Sequence, residues 1–398
     1  MIQMHFNFKD IFRAGRLGFS FKKISASLIG LVIITLIYNI FTYLALIVSG
    51  ISFTEIWQFM RLLPIPLGIS LPWYSWLIWA GGVVLSLLTL AVTVGAISKI
   101  TFEQLRGDEF YEVSKAYKDA LKLWKSAFLS PVFLAIFIIF LLLVGVVFGQ
   151  IGKIPVAGPW IVGLFSIFLI LGAFFIVYLC LIFVVSVFMS PTIALTTKGD
   201  SFDTLFEVFS VANDQPWRWV IWQILVGIIA LVGTALYSFA LKYTFMLIKW
   251  AMQIPQGQEW WSKMWMLARG TLPAVPPQLD PWVSRIFPGA GWIQPMGGEI
   301  SLGPLVGGIL LAIALYLVVL SILALKLSIF SAGQTLIYVV LVKIKDDRNL
   351  LETKKKWSLD DEDLEDEEFE EETEDEQTED EEDSSGEQDT EEKPETEE

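Results

Sequence analysis

Four lysines at helical spacing, Lys115, Lys118, Lys122 and Lys125, are the residues whose type and pattern point most directly to a chemistry. Phe110, Val113, Tyr117, Leu121, Trp124 and Phe128 recur around them at three- and four-residue steps. That is one apolar stripe of an α-helix, with the lysines falling largely off it. The chemistry of such a pattern is electrostatic: the ammonium groups reach anionic lipid headgroups while the stripe lies along a leaflet. The same stripe equally serves a helix packed on a neighbouring span, and the sequence leaves both readings standing.

Bond-making chemistry has few residues to use. The chain has one histidine, His5, and one cysteine, Cys180, so it can assemble no His-based metal site, no His-dependent triad and no intrachain disulfide. It holds no P-loop, no dinucleotide-binding glycine motif, no G-x-S-x-G and no H-E-x-x-H. Ion-coupled pumps place ionisable groups within the membrane. Here the apolar runs carry no Asp or Glu in their interiors, and Lys326 is the basic residue placed deepest in one. The expectation is a protein that is not an enzyme, with no cofactor, no metal and no nucleic-acid partner.

The elements that must position the lysines are six long apolar runs, beginning near Ile24, Ser75, Ala127, Trp160, Trp217 and Gly303. A helix rises about 1.5 Å per residue, so about 20 such residues cross a hydrocarbon core roughly 30 Å thick. Hydrophobic residues make up 54% of the 398, charged residues 18%, and the mean hydropathy is +0.59, values foreign to a soluble domain. The expected fold is an all-α, polytopic transmembrane helix bundle of about six spans, with cytoplasmic amphipathic helices and a disordered acidic C-terminal tail. Residues 1–23 form a basic amphipathic segment and 24–345 the membrane domain, which includes an amphipathic helix over 99–126 and a Trp/Pro-rich outer loop over 250–302. Residues 346–398 form the tail.

Lysine and arginine counts set the orientation. Alternate connections between the runs hold 19 against 5, and the richer set includes both termini. The positive-inside rule puts that set in the cytoplasm. The first run lacks a small-x-small cleavage site and reads as a retained signal-anchor. From Asp360 to Glu398 there are 26 acidic residues and one lysine, a net charge of −25 on a body of net +10. Such density of like charge opposes compact folding and leaves either a solvated brush or a docking segment for a protein partner.

Local signals refine the picture. Pro191 is placed to end or bend the fourth run, and the last run, apolar from Gly303 to Val342, exceeds one crossing. A crossing to about Leu325, a kink at Gly333 and an interfacial or packed continuation would reconcile its length with the charge rule. Asp200, Ser201 and Asp203 read as a helix start, with Phe202, Leu205, Phe206 and Phe209 as its apolar face. Ser321, Ser328, Ala332 and Thr335 on the last run, and Gly227, Ala230 and Thr234 on the fifth, suit close helix packing. Asn39 is a polar group inside the first run that needs a partner. The six tryptophans of the outer loop read as a cap at headgroup level or as a stacking platform for a glycan or lipid headgroup.

The run GAISKITFEQLRGDEFYEVSKAYKDALKLWKSAFLSPV, the later GKIPVAGP, the segment SPTIALTTKGDSFDTLFEVFSVANDQPWRW and the closing SAGQTLIYVVLVKIKDD together resemble a group of bacterial polytopic membrane proteins of uncharacterised activity. That group is loosely similar to the membrane domain attached to some glycerophosphodiester phosphodiesterases. The resemblance covers about Gly95 to Asp347 and implies a bacterial cytoplasmic-membrane protein. It brings no catalytic residue, since no phosphodiesterase domain is present. Three classes follow: a scaffold or accessory subunit, a permease component for an apolar or lipidic substrate, and, with least support, a lipid-acting enzyme.

Overall fold

The computed structural model describes residues 4–59, 62–66, 69–271 and 302–352, and among these there is no strand. The helices are α1 (Phe8–Ile11), α2 (Arg13–Gly18), α3 (Phe21–Val48), α4 (Phe53–Phe59), α5 (Trp73–Arg106), α6 (Val113–Lys122), α7 (Trp124–Ile151), α8 (Ala157–Leu164), α9 (Ser166–Thr197), α10 (Ser201–Asp214), α11 (Pro216–Thr271) and α12 (Leu302–Asp346). Six of them, α3, α5, α7, α9, α11 and α12, contain stretches long and apolar enough to cross a membrane. The chain is an all-α, multi-pass membrane protein. It divides into two units, Met1–Arg348 and Asn349–Glu398. Residues 272–301 of the expected outer loop, with Trp282 and Trp292, and the expected tail from 353 onward lie outside the described residues.

The centre of the first unit is α12. Every residue from Ser331 to Val342 is buried, so the continuation beyond Leu325 is packed within the bundle and does not lie on an interface. α12 runs as one helix of 45 residues through Gly333. Gly333 has a packing use. A Cβ there would fall 2.3 Å from Val226 Cγ1, so the missing side chain lets α11 approach. Tyr237 meets Ser321 at 3.1 Å, Ala230 packs with Leu325 and Ile329, and Gln334 Nε2 donates to Gln223 Oε1 at 2.8 Å. The partners step in opposite directions along the two helices, which makes the pair antiparallel. Of the small residues expected to pack, Ser328, Ala332, Thr335 and Ala230 are buried, whereas Gly227 faces open space.

α12 also meets α2, closely enough that a Cβ on Gly18 would sit 2.4 Å from Ile329 Cα. The end of α2 has carbonyls without helical partners. Ser328 Oγ donates to Gly18 O at 2.6 Å and the buried Lys23 Nζ to Leu17 O at 3.0 Å. Asn39 also finds its partners: its Oδ1 accepts from Leu63 N–H at 2.9 Å and its Nδ2 donates to Thr35 O at 2.8 Å.

The helix start at Asp200 is as read: its Oδ1 accepts from Asp203 N–H at 2.8 Å. The packed side of α10 is distinct from its phenylalanine face. Thr204, Val208 and Val211 form the buried side of α10, while Phe202 and Phe206 are exposed. α10 also fixes how α9 and α12 meet. Their point of approach is Phe188 against Phe330, ring centroids 5.6 Å apart. From there Tyr178 lies about 15 Å back along α9 and Lys345 about 22 Å onward along α12, directions that diverge in side-by-side parallel helices. Yet α10 touches both: Tyr178 O–H donates to Asn213 Oδ1 at 2.8 Å, and Lys345 Nζ reaches Ser210 Oγ at 2.6 Å and Glu207 Oε1 at 3.4 Å. α10 therefore bridges the two helices. Lys345→Met removes the clamp on one side. Hydrogen bonds to charged groups contribute about 1.5–3 kcal/mol, so amide exchange across α10 should accelerate at least tenfold while α5 stays protected. Unchanged exchange in α10 would show that apolar packing alone holds it.

Four other expectations need correction. Pro191 does not end the fourth helix, because α9 continues through it to Thr197. The run that starts near Trp160 is divided, with α8 ending at Leu164 and α9 beginning at Ser166. Residues 99–126 are not one amphipathic helix: α5 extends to Arg106, Gly107 at φ +109 ends it, and α6 begins only at Val113. Residues 250–271 are helix and not loop. The rings of Phe245 and Trp265 lie 6.5 Å apart, whereas twenty residues of straight helix would separate them by about 30 Å. The chain therefore folds back across Pro255. Trp265 and Ala268 then pack with Ala312 and Leu315, and Trp261 is buried, which favours the cap over an open platform for these residues.

Candidate membrane-surface site

The lysine segment is built on the end of α5. Beyond Gly95 this helix is packed on several sides: Ser98 Oγ and Thr192 Oγ1 of α9 are 2.9 Å apart, and the hydrophobic cluster of Ala96, Ile97, Ile100, Ala194 and Leu195 lies alongside. Within it Glu103 is held between Lys99 Nζ at 3.0 Å and Arg106 Nη1 at 3.5 Å, and the Arg106 guanidinium lies 4.3 Å over the Phe102 ring. This charged group was not singled out from the sequence, although the i, i+4 spacing of Lys99 and Glu103 is the signal that marks it.

α6 packs on this platform with its small-residue face. Val113, Ala116, Tyr117 and Ala120 join the core cluster, and Tyr117 O–H donates to the Ala26 carbonyl of α3 at 2.8 Å. Burial pushes the Tyr117 phenol above its ordinary range. Tyr111, in the turn before α6, donates to Asp119; burial and then that bond raise its phenol, so it stays a donor at any physiological pH. The turn is tied to the start of α3, where Lys22 Nζ donates to Glu109 O at 3.0 Å.

Of the two readings of the stripe, packing accounts for Val113, Tyr117 and Trp124, while Phe110, at 89% exposure, and Leu121 turn outward. All four lysines are exposed. Lys115, Lys118 and Lys122 share the side of α6 opposite Ala116 and Ala120, and Lys125 follows on the first turn of α7 after the break at Leu123. Lys115 also stands 5.8 Å over the Tyr111 ring. The helix thus has a packed side and a cationic side, with Leu121 on the margin between them. Among the described residues no group of three or more His, Cys, Asp or Glu is placed to hold a metal ion. Compared with known proteins, the chain matches no family model, no curated protein and no solved structure.

Proposed function

We propose that this is a non-enzymatic scaffold or accessory subunit of a bacterial cytoplasmic membrane, with both termini in the cytoplasm. Its cytoplasmic helices and acidic tail engage protein partners, and Lys115, Lys118, Lys122 and Lys125 hold the anionic leaflet. The observation that carries this reading is α6: a helix docked on the bundle through small residues and a tyrosine, with every lysine left outside. A side chain kept for packing would be turned inward, whereas lysines beside exposed Leu121 suit a headgroup layer. The charge bias of 19 to 5 supports the orientation.

The test is purification of the full chain from native membranes in mild detergent, beside a form lacking residues 360–398. A stoichiometric protein partner retained by the full chain and lost on truncation is the expected result. Tightly bound lipid with no protein partner in either preparation would overturn the scaffold reading in favour of a permease component for a lipidic substrate.

A further inference from the structure

α10 carries a second outward surface that the lysine helix does not explain. Opposite its buried Thr204, Val208 and Val211 stand Phe202 and Phe206, the latter 71% exposed. In water such a pair on a short helix is costly to maintain, since about 25 cal/mol of stabilisation is forgone for each Å² of apolar surface left uncovered. The Phe202 ring stacks on Phe133 of α7, with centroids 5.6 Å apart and planes at 14°. Phe133 is itself exposed and leads along α7 into Ile136, Phe137 and Phe140, all exposed on a helix apolar enough to span a membrane. The aromatic surface of α10 is thus continuous with one that hydrocarbon covers.

The distance to the lysines completes the pattern. Lys125 lies on the same α7 helix, about 12 Å from Phe133 along its axis. Interfacial helices bury their apolar sides about 5–10 Å below the headgroup boundary, so a band of ammonium groups and a band of phenyl rings at this separation match the phosphate layer and the upper acyl chains. Asp200 caps α10 with Asp203 in its first turn, acids that offset the nearby Lys198, so the preference for anionic lipid is assigned to Lys122 and Lys125.

We propose that α10 and the first turns of α7 form a seat for an anionic phospholipid of the adjoining leaflet, with phosphate on Lys122 and Lys125 and acyl chain against Phe133, Phe202 and Phe206. The proposal rests on the membrane-surface reading of the lysines but not on any protein partner. It assigns α10 to the membrane, where it presses a lipid-facing side outward while Glu207 and Ser210 hold its other side to α12.

The experiment uses the full chain with Cys180→Ser, carrying a nitroxide at Phe206→Cys or, separately, at Lys118→Cys, in vesicles of phosphatidylcholine with a minority of phosphatidylglycerol. Collision with oxygen should exceed collision with a water-soluble nickel chelate at position 206, and the order should reverse at position 118. Nickel access at 206 equal to that at 118 would overturn the seat. In a second arm, the double variant Lys122→Gln, Lys125→Gln should retain less phosphatidylglycerol through purification, by about five-fold per lysine at low salt. Retention equal to the unaltered chain would overturn the headgroup assignment. Both readings are taken on a partner-free preparation, so they stand or fall separately from the scaffold function.

Discussion

Glu103→Gln is expected to destabilise the membrane unit by about 3–5 kcal/mol, the usual result of breaking a buried ion pair from one side. The Lys99 and Glu103 side chains are 9% and 8% exposed, so the Lys99 ammonium would stay in a packed site without its carboxylate at 3.0 Å. The loss reflects a stranded charge and not the net worth of the pair, because taking both ions out of water already offsets most of their attraction. A second variant separates the two. Lys99→Met with Glu103→Leu removes both members of this pair, leaving Arg106 over the Phe102 ring, and should recover at least half of the loss. Equilibrium unfolding in mixed micelles measures both. A Glu103→Gln effect below about 1 kcal/mol would show that water reaches the group and that the pair behaves as a surface one.

Gly30→Ala should also destabilise, by a smaller amount and for a packing reason. A methyl group at position 30 would fall 2.2 Å from Thr93 Oγ1 and 2.4 Å from its Cγ2, and Thr93 is fully buried. Alanine favours a helix by about 1 kcal/mol over glycine, but overpacking costs about 1–3 kcal/mol and here pushes α3 away from α5 along a contact that Gly82 repeats against Phe41. We expect a net loss, with at least half recovered when Thr93→Ala is added, since that change removes both nearest atoms. Failure of the second substitution to rescue the first would show that α3 and α5 adjust independently of this notch.

Much of the architecture was legible in the sequence because bilayer physics makes it so. Backbone polar groups must be satisfied within a segment that crosses hydrocarbon, so a long apolar run has essentially one solution, and all six runs became helices. Helix starts such as Asp200 were legible for a similar reason, since the cap is a local bond within four residues. The lysines of α6 were placed on one side by the 3.6-residue period alone, and they are exposed as that period predicts.

Which face of a helix packs was a different matter. On α10 the phenylalanines read as one apolar face, but whether that face packs or lies outward was not legible, because in a lipid setting apolar residues serve both the interior and the surface. Hydrophobicity then stops distinguishing inside from outside, and small or polar residues such as Thr204, Ala116 and Ser331 mark the packed side instead. Close approach between distant segments was equally hidden: nothing near Gly333 announces Val226, and nothing near Pro255 announces that Trp265 returns to Phe245. The sequence by itself determined the helices, their apolar length and the placement of charge, since each depends on neighbours within a few turns. Only the tertiary structure decided the Phe188–Phe330 contact of α9 with α12, the bridging of both by α10 and the Phe133–Phe202 surface, since each depends on shape complementarity between residues tens of positions apart.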